Sequence, residues 1–281
     1  MAEALQQRLS TCIDDVSLWM KSNRLQLNPT KSEVLWCASA RCQQQIPTGP
    51  VRIGDTSVCP VTAVRDLGVY LDADVSMTAH VTATVRTCFA ALRQIRSMRR
   101  SLSREALLTL IHALVVSKLD YCNSVLVGVS RSLQRRLQSV LNAAAWLVSS
   151  TRRSEHTTPL FRDLHWLKVP EHVQFRLCVL AYRCLHGTAP SYLAETLQLT
   201  SSVESRRRLR SSSTSALLVQ STQWMTIGDR AFPVAAARAW NALPDSVRMS
   251  SSYMALRRQL KMLLFKASFG DDRTWMPTFL L

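Results

Sequence analysis

The sequence predicts an α+β protein that is mostly α: a small antiparallel sheet near the N-terminus, then a helical bundle, then a small C-terminal unit. Three observations predict it. Apolar residues recur at helical spacing over most of the chain. Between about residues 33 and 71 the period changes to short β-branched runs cut by Pro47, Gly49-Pro50, Gly54-Asp55 and Pro60. A chain of 281 residues that is 47% hydrophobic and 19% charged is also long and apolar enough to bury a core.

Leu5, Leu9, Cys12-Ile13, Val16 and Trp19-Met20 define a first helix over roughly 3–22, which must stop before Asn28-Pro29. The runs Glu33–Cys37, Val51–Ile53, Thr56–Cys59 and Val64–Leu71 follow as strands, with Gly54-Asp55 suited to a hairpin turn. Helices are expected over 76–99, over 103–119 with Ser103 as N-cap and Glu105 in the first turn, and over 130–149. The next helix is marked at both ends, by Pro170 in its first turn and by Gly187 and Pro190 beyond its end, with Val173, Leu177, Leu180 and Cys184 as its apolar stripe. Thr200–Ser215 is rich in Ser and Arg and lacks an apolar period, as an exposed linker does. A C-terminal helix near Tyr253–Ala267 rests on Leu256, Leu260, Leu263 and Leu264. The expected segments are therefore 1–72, 73–199, a linker at 200–215, a small unit at 216–269 and a tail at 270–281.

The charge narrows the function classes. Lys and Arg number 35 against 19 Asp and Glu, giving +16, and 29 of the 35 are arginines. Arginine's planar fork matches phosphate oxygens, and each neutralised phosphate releases counterions, so nucleic acid is the expected partner. Ordinary solvated helix faces are the alternative for any one cluster. No window reaches the roughly 18 apolar residues of a membrane span, and the N-terminus lacks a basic region followed by an apolar stretch. An intracellular protein without membrane attachment is expected, in nucleus or cytoplasm. The eight cysteines contain no CxxC pair and are expected as reduced, mostly core thiols.

Several words resemble one family in order. Trp19-Met20 followed by Asn23–Glu33 (NRLQLNPTKSE) is similar to a block of reverse transcriptases from non-LTR retrotransposons, of the jockey-like and chicken-repeat groups, with Ser32 where threonine is usual. Val64–Asp72 (VRDLGVYLD) with Ser76 and His80, then Leu119–Ser124 (LDYCNS), Asn142–Ala145 (NAAA), Leu164–Leu167 (LHWL), His186–Leu193 (HGTAPSYL), Gly228–Phe232 (GDRAF) and Trp240–Pro244 (WNALP) continue the resemblance to about residue 269. Trp146 stands where the family carries an arginine.

The resemblance implies the end of a polymerase palm (1–72), a helical thumb-like region (73–199) and a C-terminal unit. It implies Mg²⁺ only for a full-length parent enzyme, whose carboxylates hold two ions about 4 Å apart for RNA-directed DNA synthesis. The Ala-Asp-Asp box of that family lies upstream of the Asn28 block, and no such box is found among residues 1–27. Asp14-Asp15 is no substitute, because adjacent positions on a helix diverge by about 100°. Lys31 matches the lysine that protonates departing pyrophosphate, so it is either a relic of that general acid or a surface lysine. Gly68 matches the hairpin that supports a primer end, or is a plain turn glycine. Arg93, Arg96, Arg99, Arg100 and Arg104, then Arg131, Arg135 and Arg136, then Arg152 and Arg153, match thumb helices that grip a duplex backbone.

No His/Cys spacing fits a zinc site, including His165, His172 and His186 beside Cys178 and Cys184. Trp166, Trp224 and Trp240 are expected as packing anchors more than as base-stacking platforms. The expected function is sequence-tolerant binding of RNA or an RNA/DNA duplex by a reverse-transcriptase-like protein that is not an enzyme on its own. Two alternatives stand beside it: a helical protein-interaction module, and a polymerase fragment active only with an upstream reverse-transcriptase portion.

Overall fold

The computed structural model describes residues 2–39, 42–202, 215–222 and 227–270. The chain divides into two compact units, Met1–Ala83 and Thr84–Leu281. Residues 203–214 of the expected linker 200–215, residues 271–281 of the expected tail 270–281, and Trp224 lie outside the described residues.

In the first unit helix α1 (Ala2–Ser22) lies against strand β2 (Val51–Ile53). Leu9 and Ile13 of α1 pack with Leu27, Trp36 and Val58 around the buried Val34, Val51 and Ile53. Gln6 donates to the Pro50 carbonyl and Asp14 pairs with Arg52, so the helix is fixed to the hairpin at two levels. The strands do not make one antiparallel sheet. They form three separate pairs: β1 (Val34–Leu35) with β4 (Pro60–Val61), β2 with β3 (Thr56–Val58), and β5 (Ala63–Asp66) with β6 (Val69–Asp72). The first pair is parallel and the other two are antiparallel. Strands of two to four residues, interrupted by proline, are too short to pair on both edges.

The β2–β3 hairpin turns through Gly54-Asp55, with Ile53 opposite Thr56. The β5–β6 hairpin turns through Leu67-Gly68, both at positive φ (44° and 87°), as a two-residue turn matched to strand twist requires. After β6 the chain enters α2 (Thr78–Met98) through a tight corner in which Val75 and Met77 also have positive φ. Asp72 holds that corner. Its carboxylate accepts from the Ser76 hydroxyl (2.8 Å) and from the backbone N–H groups of Thr78 (2.6 Å) and Ala79. Buried His80 accepts at Nδ1 from the Tyr70 N–H. The spaced word Asp72, Ser76, His80 is thus a strand-to-helix clamp.

The second unit is helical. After the turn Arg99–Ser101, Ser103 caps α3 (Arg104–Ile111) by accepting from the Ala106 N–H. The helix expected over 103–119 continues through one π turn, His112–Val116, into α4 (Ser117–Asp120). Then come α5 (Arg131–Ser149), α6 (Thr157–Asp163), α7 (Val169–Leu185) and α8 (Ser191–Ala194). They are followed by α9 (Phe232–Asn241), α10 (Asp245–Arg248) and α11 (Tyr253–Phe269). Buried α7 is the hub, touched by α5, α8, α9, α11 and the turn Asn123–Leu126.

Two boundaries differ from expectation. The units part at 83/84 and not at 72/73, because Asp72 and His80 tie the start of α2 to the β5–β6 hairpin. The described residues of 216–269 pack with the helical unit, since α9 and α11 pack on α7 and Trp240 is buried beside Tyr182. The ends of the Ser/Arg-rich segment are pinned by a bridge between Leu199 and Leu217. All eight thiols are free, but only Cys88, Cys178 and Cys184 are buried, where burial pushes Cys88 up to about 11 and Cys178 up to about 12. Cys12, Cys37, Cys59 and Cys122 are exposed, which corrects the expectation of core thiols: Cys12 lies on the half-covered α1, Cys37 and Cys59 just beyond short strands, and Cys122 in the left-handed turn after α4. Among the described residues no helix is long and apolar enough to cross a membrane.

Candidate nucleic-acid interface

Helix α2 buries Cys88, Leu92 and Ile95 along one side and turns Arg86, Arg93 and Arg96 outward, with Arg100 continuing the stripe. Arg86 was not among the residues singled out from sequence; its spacing of seven from Arg93 places it on the same helical face. Arg104, at the start of α3, is exposed as well.

Fold contacts bring a sequence-remote group to this end. The Arg99 guanidinium donates to Ser150, the C-cap of α5, so Arg152 and Arg153 follow just beyond that contact. Arg93, Arg96, Arg100, Arg104, Arg152 and Arg153 are exposed and form no ion pair with a described carboxylate. Arg99 is different. It is half-buried and its guanidinium serves the α2–α5 contact, so it holds the cluster together more than it faces solvent.

Arg131, Arg135 and Arg136 sit at the opposite end of α5. At about 1.5 Å per residue, the first turn lies about 27 Å from the Ser149 end. That exceeds the Debye length of about 8 Å in physiological salt, so the two clusters are screened from one another. Arg131 and Arg135 are exposed and Arg136 is half-buried. None of the three pairs with a described carboxylate, whereas Arg52, Arg238 and Arg248 pair with Asp14, Asp229 and Asp245.

Lys31 ends a 3-10 turn (Pro29–Lys31) capped by Asn28, whose side chain accepts from the Thr30 N–H at 3.0 Å. The Lys31 N–H donates to the Asn28 carbonyl at 3.2 Å, and its exposed ammonium forms no ion pair with a described carboxylate. Gly68 is exposed beside Leu67, an apolar turn residue that is 84% exposed. Lys31 and Gly68 belong to the first unit and the arginine clusters to the second.

Most other words of the resemblance do packing work. Asp120 of Leu119–Ser124 meets His172 Nδ1 of α7 at 2.8 Å and accepts from Asn123 Nδ2 at 3.2 Å. Ala143–Ala145 are buried small residues of α5. Trp166 packs edge-on against Phe161 and His112. In Gly228–Phe232, Asp229 accepts from Thr222 and Arg238 while Arg230 donates to the Val127 carbonyl, and a Cβ on Gly228 would lie 2.7 Å from Thr222. Trp240 donates to the Ser215 carbonyl, and the Asn241 amide both accepts from and donates to the Leu217 backbone.

The described residues do not fit a two-metal centre. No three of their His, Cys, Asp or Glu side chains converge, and Asp14 is engaged by Arg52 at 2.6 Å while Asp15 points elsewhere on α1. No known protein family, curated protein or solved structure matches the chain.

Proposed function

We propose that this chain binds RNA or an RNA/DNA duplex through the sugar–phosphate backbone without reading sequence, as a relative of the thumb-bearing part of non-LTR retrotransposon reverse transcriptases. The observation that carries the reading is the set of exposed guanidinium groups without carboxylate partners on α2, α3, α5 and the segment after α5. Evolution of a soluble surface alone is served as well by mixed charge; unpaired arginines of one sign at +16 favour a polyanion. Phosphate contact by such groups is salt-sensitive and sequence-tolerant. On this reading the chain carries out no nucleotidyl transfer of its own, and Lys31 contributes at most a phosphate contact.

Fluorescence anisotropy with labelled single-stranded RNA, RNA/DNA and DNA duplexes of scrambled sequence tests the proposal. Binding is expected to weaken by about 10²-fold or more between about 50 and about 200 mM salt for several phosphate contacts, and to change little with sequence. Affinity that is flat across this salt range overturns it. Primer extension with Mg²⁺ is expected to yield no product.

A further inference from the structure

Helix α1 uses only part of its apolar arc within its own unit. Leu9 and Ile13 meet the small core, but Leu5 (47% exposed), Val16 (46%) and Trp19 (61%) face solvent with Cys12 between them. Leu5, Leu9, Cys12, Val16 and Trp19 follow the alternating four-three spacing of a coiled-coil seam, with Leu9 and Val16 at one core position and Leu5, Cys12 and Trp19 at the other. An exposed tryptophan in line with two exposed aliphatic residues is a surface made to be covered.

The flanks of the seam identify the occupant. On one side Gln6 and Ile13 are already committed, to the Pro50 carbonyl and to the core. On the other side Arg8 and Asp15, seven residues apart, are exposed and have no ion partner among the described residues. We propose that α1 pairs with α1 of a second copy of this chain, antiparallel, about a two-fold axis. In an antiparallel pair equivalent flanks face each other, so Arg8 of each copy meets Asp15 of the other, and both pairs lie on the open side. Leu5 then stands opposite Val16 of the second copy and Leu9 opposite Cys12. A parallel pair would set Arg8 against Ile13 and leave both charges unmatched. The charged flank is thus self-complementary, as a two-fold contact requires.

Sedimentation velocity on the full chain, nuclease-treated at moderate salt and micromolar concentration, tests the dimer. The wild type is expected to dimerise, and Val16→Asp to be monomeric with unchanged helicity by circular dichroism. Arg8→Asp and Asp15→Arg are each expected to weaken the dimer about tenfold, because each turns two attractive pairs into repulsive ones. The double reversal is expected to restore wild-type affinity. A monomeric wild type, a dimeric Val16→Asp, or a double reversal no tighter than either single change overturns the proposal.

Discussion

Single side chains decide two corners of this molecule. Asp72 satisfies the first N–H groups of α2 and the Ser76 hydroxyl, in a loop where Val75 at φ 54° adopts a conformation costly for a β-branched residue. Removing the carboxylate exposes that strain, so Asp72→Ala is expected to destabilise the fold by about 1–2 kcal/mol in urea denaturation. Asp72→Asn keeps one acceptor oxygen and should lose less; equal losses would show that capping is not the role. Burial pushes both His80 and His112 below their ordinary value of 6.5. Asp72 opposes the effect at His80; Lys261 and His172 reinforce it at His112 while Asp120 opposes it. With folded values below unfolded ones, the unfolded chain binds more protons on acidification, so stability present above 6.5 is lost as pH falls through 6.5 and towards the folded values. The urea midpoint should therefore drop between about pH 7.5 and about pH 5.5, and a His80→Gln/His112→Gln double variant should flatten that dependence.

At the level of elements, α7 carries the second unit and α9 is fastened to it. Trp240 is 1% exposed, lies beside Tyr182 and donates to the Ser215 carbonyl, while Asn241 pairs with both polar groups of the Leu217 backbone. Trp240→Ala is expected to cost about 3–5 kcal/mol, seen as a large fall in the denaturation midpoint. A change below about 1 kcal/mol would mean that α9 detaches without consequence for α7. Local signals made these helices legible: Pro170 and Gly187 bracket α7, Ser103 caps α3, and the apolar stripes mark the buried sides. Pairing was not legible in the same way. Nothing in Val34-Leu35 or Pro60-Val61 signals that they meet in parallel, because such pairing is fixed by the path of the whole chain. The arginine stripe on α2 was readable from its period, but the meeting of Arg99 with Ser150 depends on how α3 packs on α5. Several words of the resemblance describe packing contacts, as Asp120 with His172 and Asn241 with Leu217 illustrate.

For the whole molecule, the proposed binding of a polyanion would be governed by how the charge is distributed. Arg93, Arg96, Arg100 and Arg104 stand at one end of α5 with Arg152 and Arg153, and Arg131 and Arg135 at the other, about 27 Å away. Two sites so separated engage one backbone only if the nucleic acid is long enough to reach both. At about 3.4 Å per step, a B-form DNA duplex shorter than about 8 base pairs meets one cluster at a time, and an A-form RNA/DNA duplex, with its smaller rise, needs more base pairs to reach both. On a long duplex, alanine at Arg93, Arg96, Arg100 and Arg104 together should flatten the slope of log affinity against log salt by up to about 3.6, and alanine at Arg131 and Arg135 by up to about 1.8. Their losses of binding free energy should add, because the sites share no neighbours. On a duplex below the spanning length, either cluster can serve alone, so changing one leaves most of the affinity and changing both lowers it by more than the sum of the two single losses. Titrations of the two cluster variants and their combination against short and long duplexes separate these cases. Additivity on the short duplex, or its absence on the long one, would show that the clusters do not track a single backbone along α5.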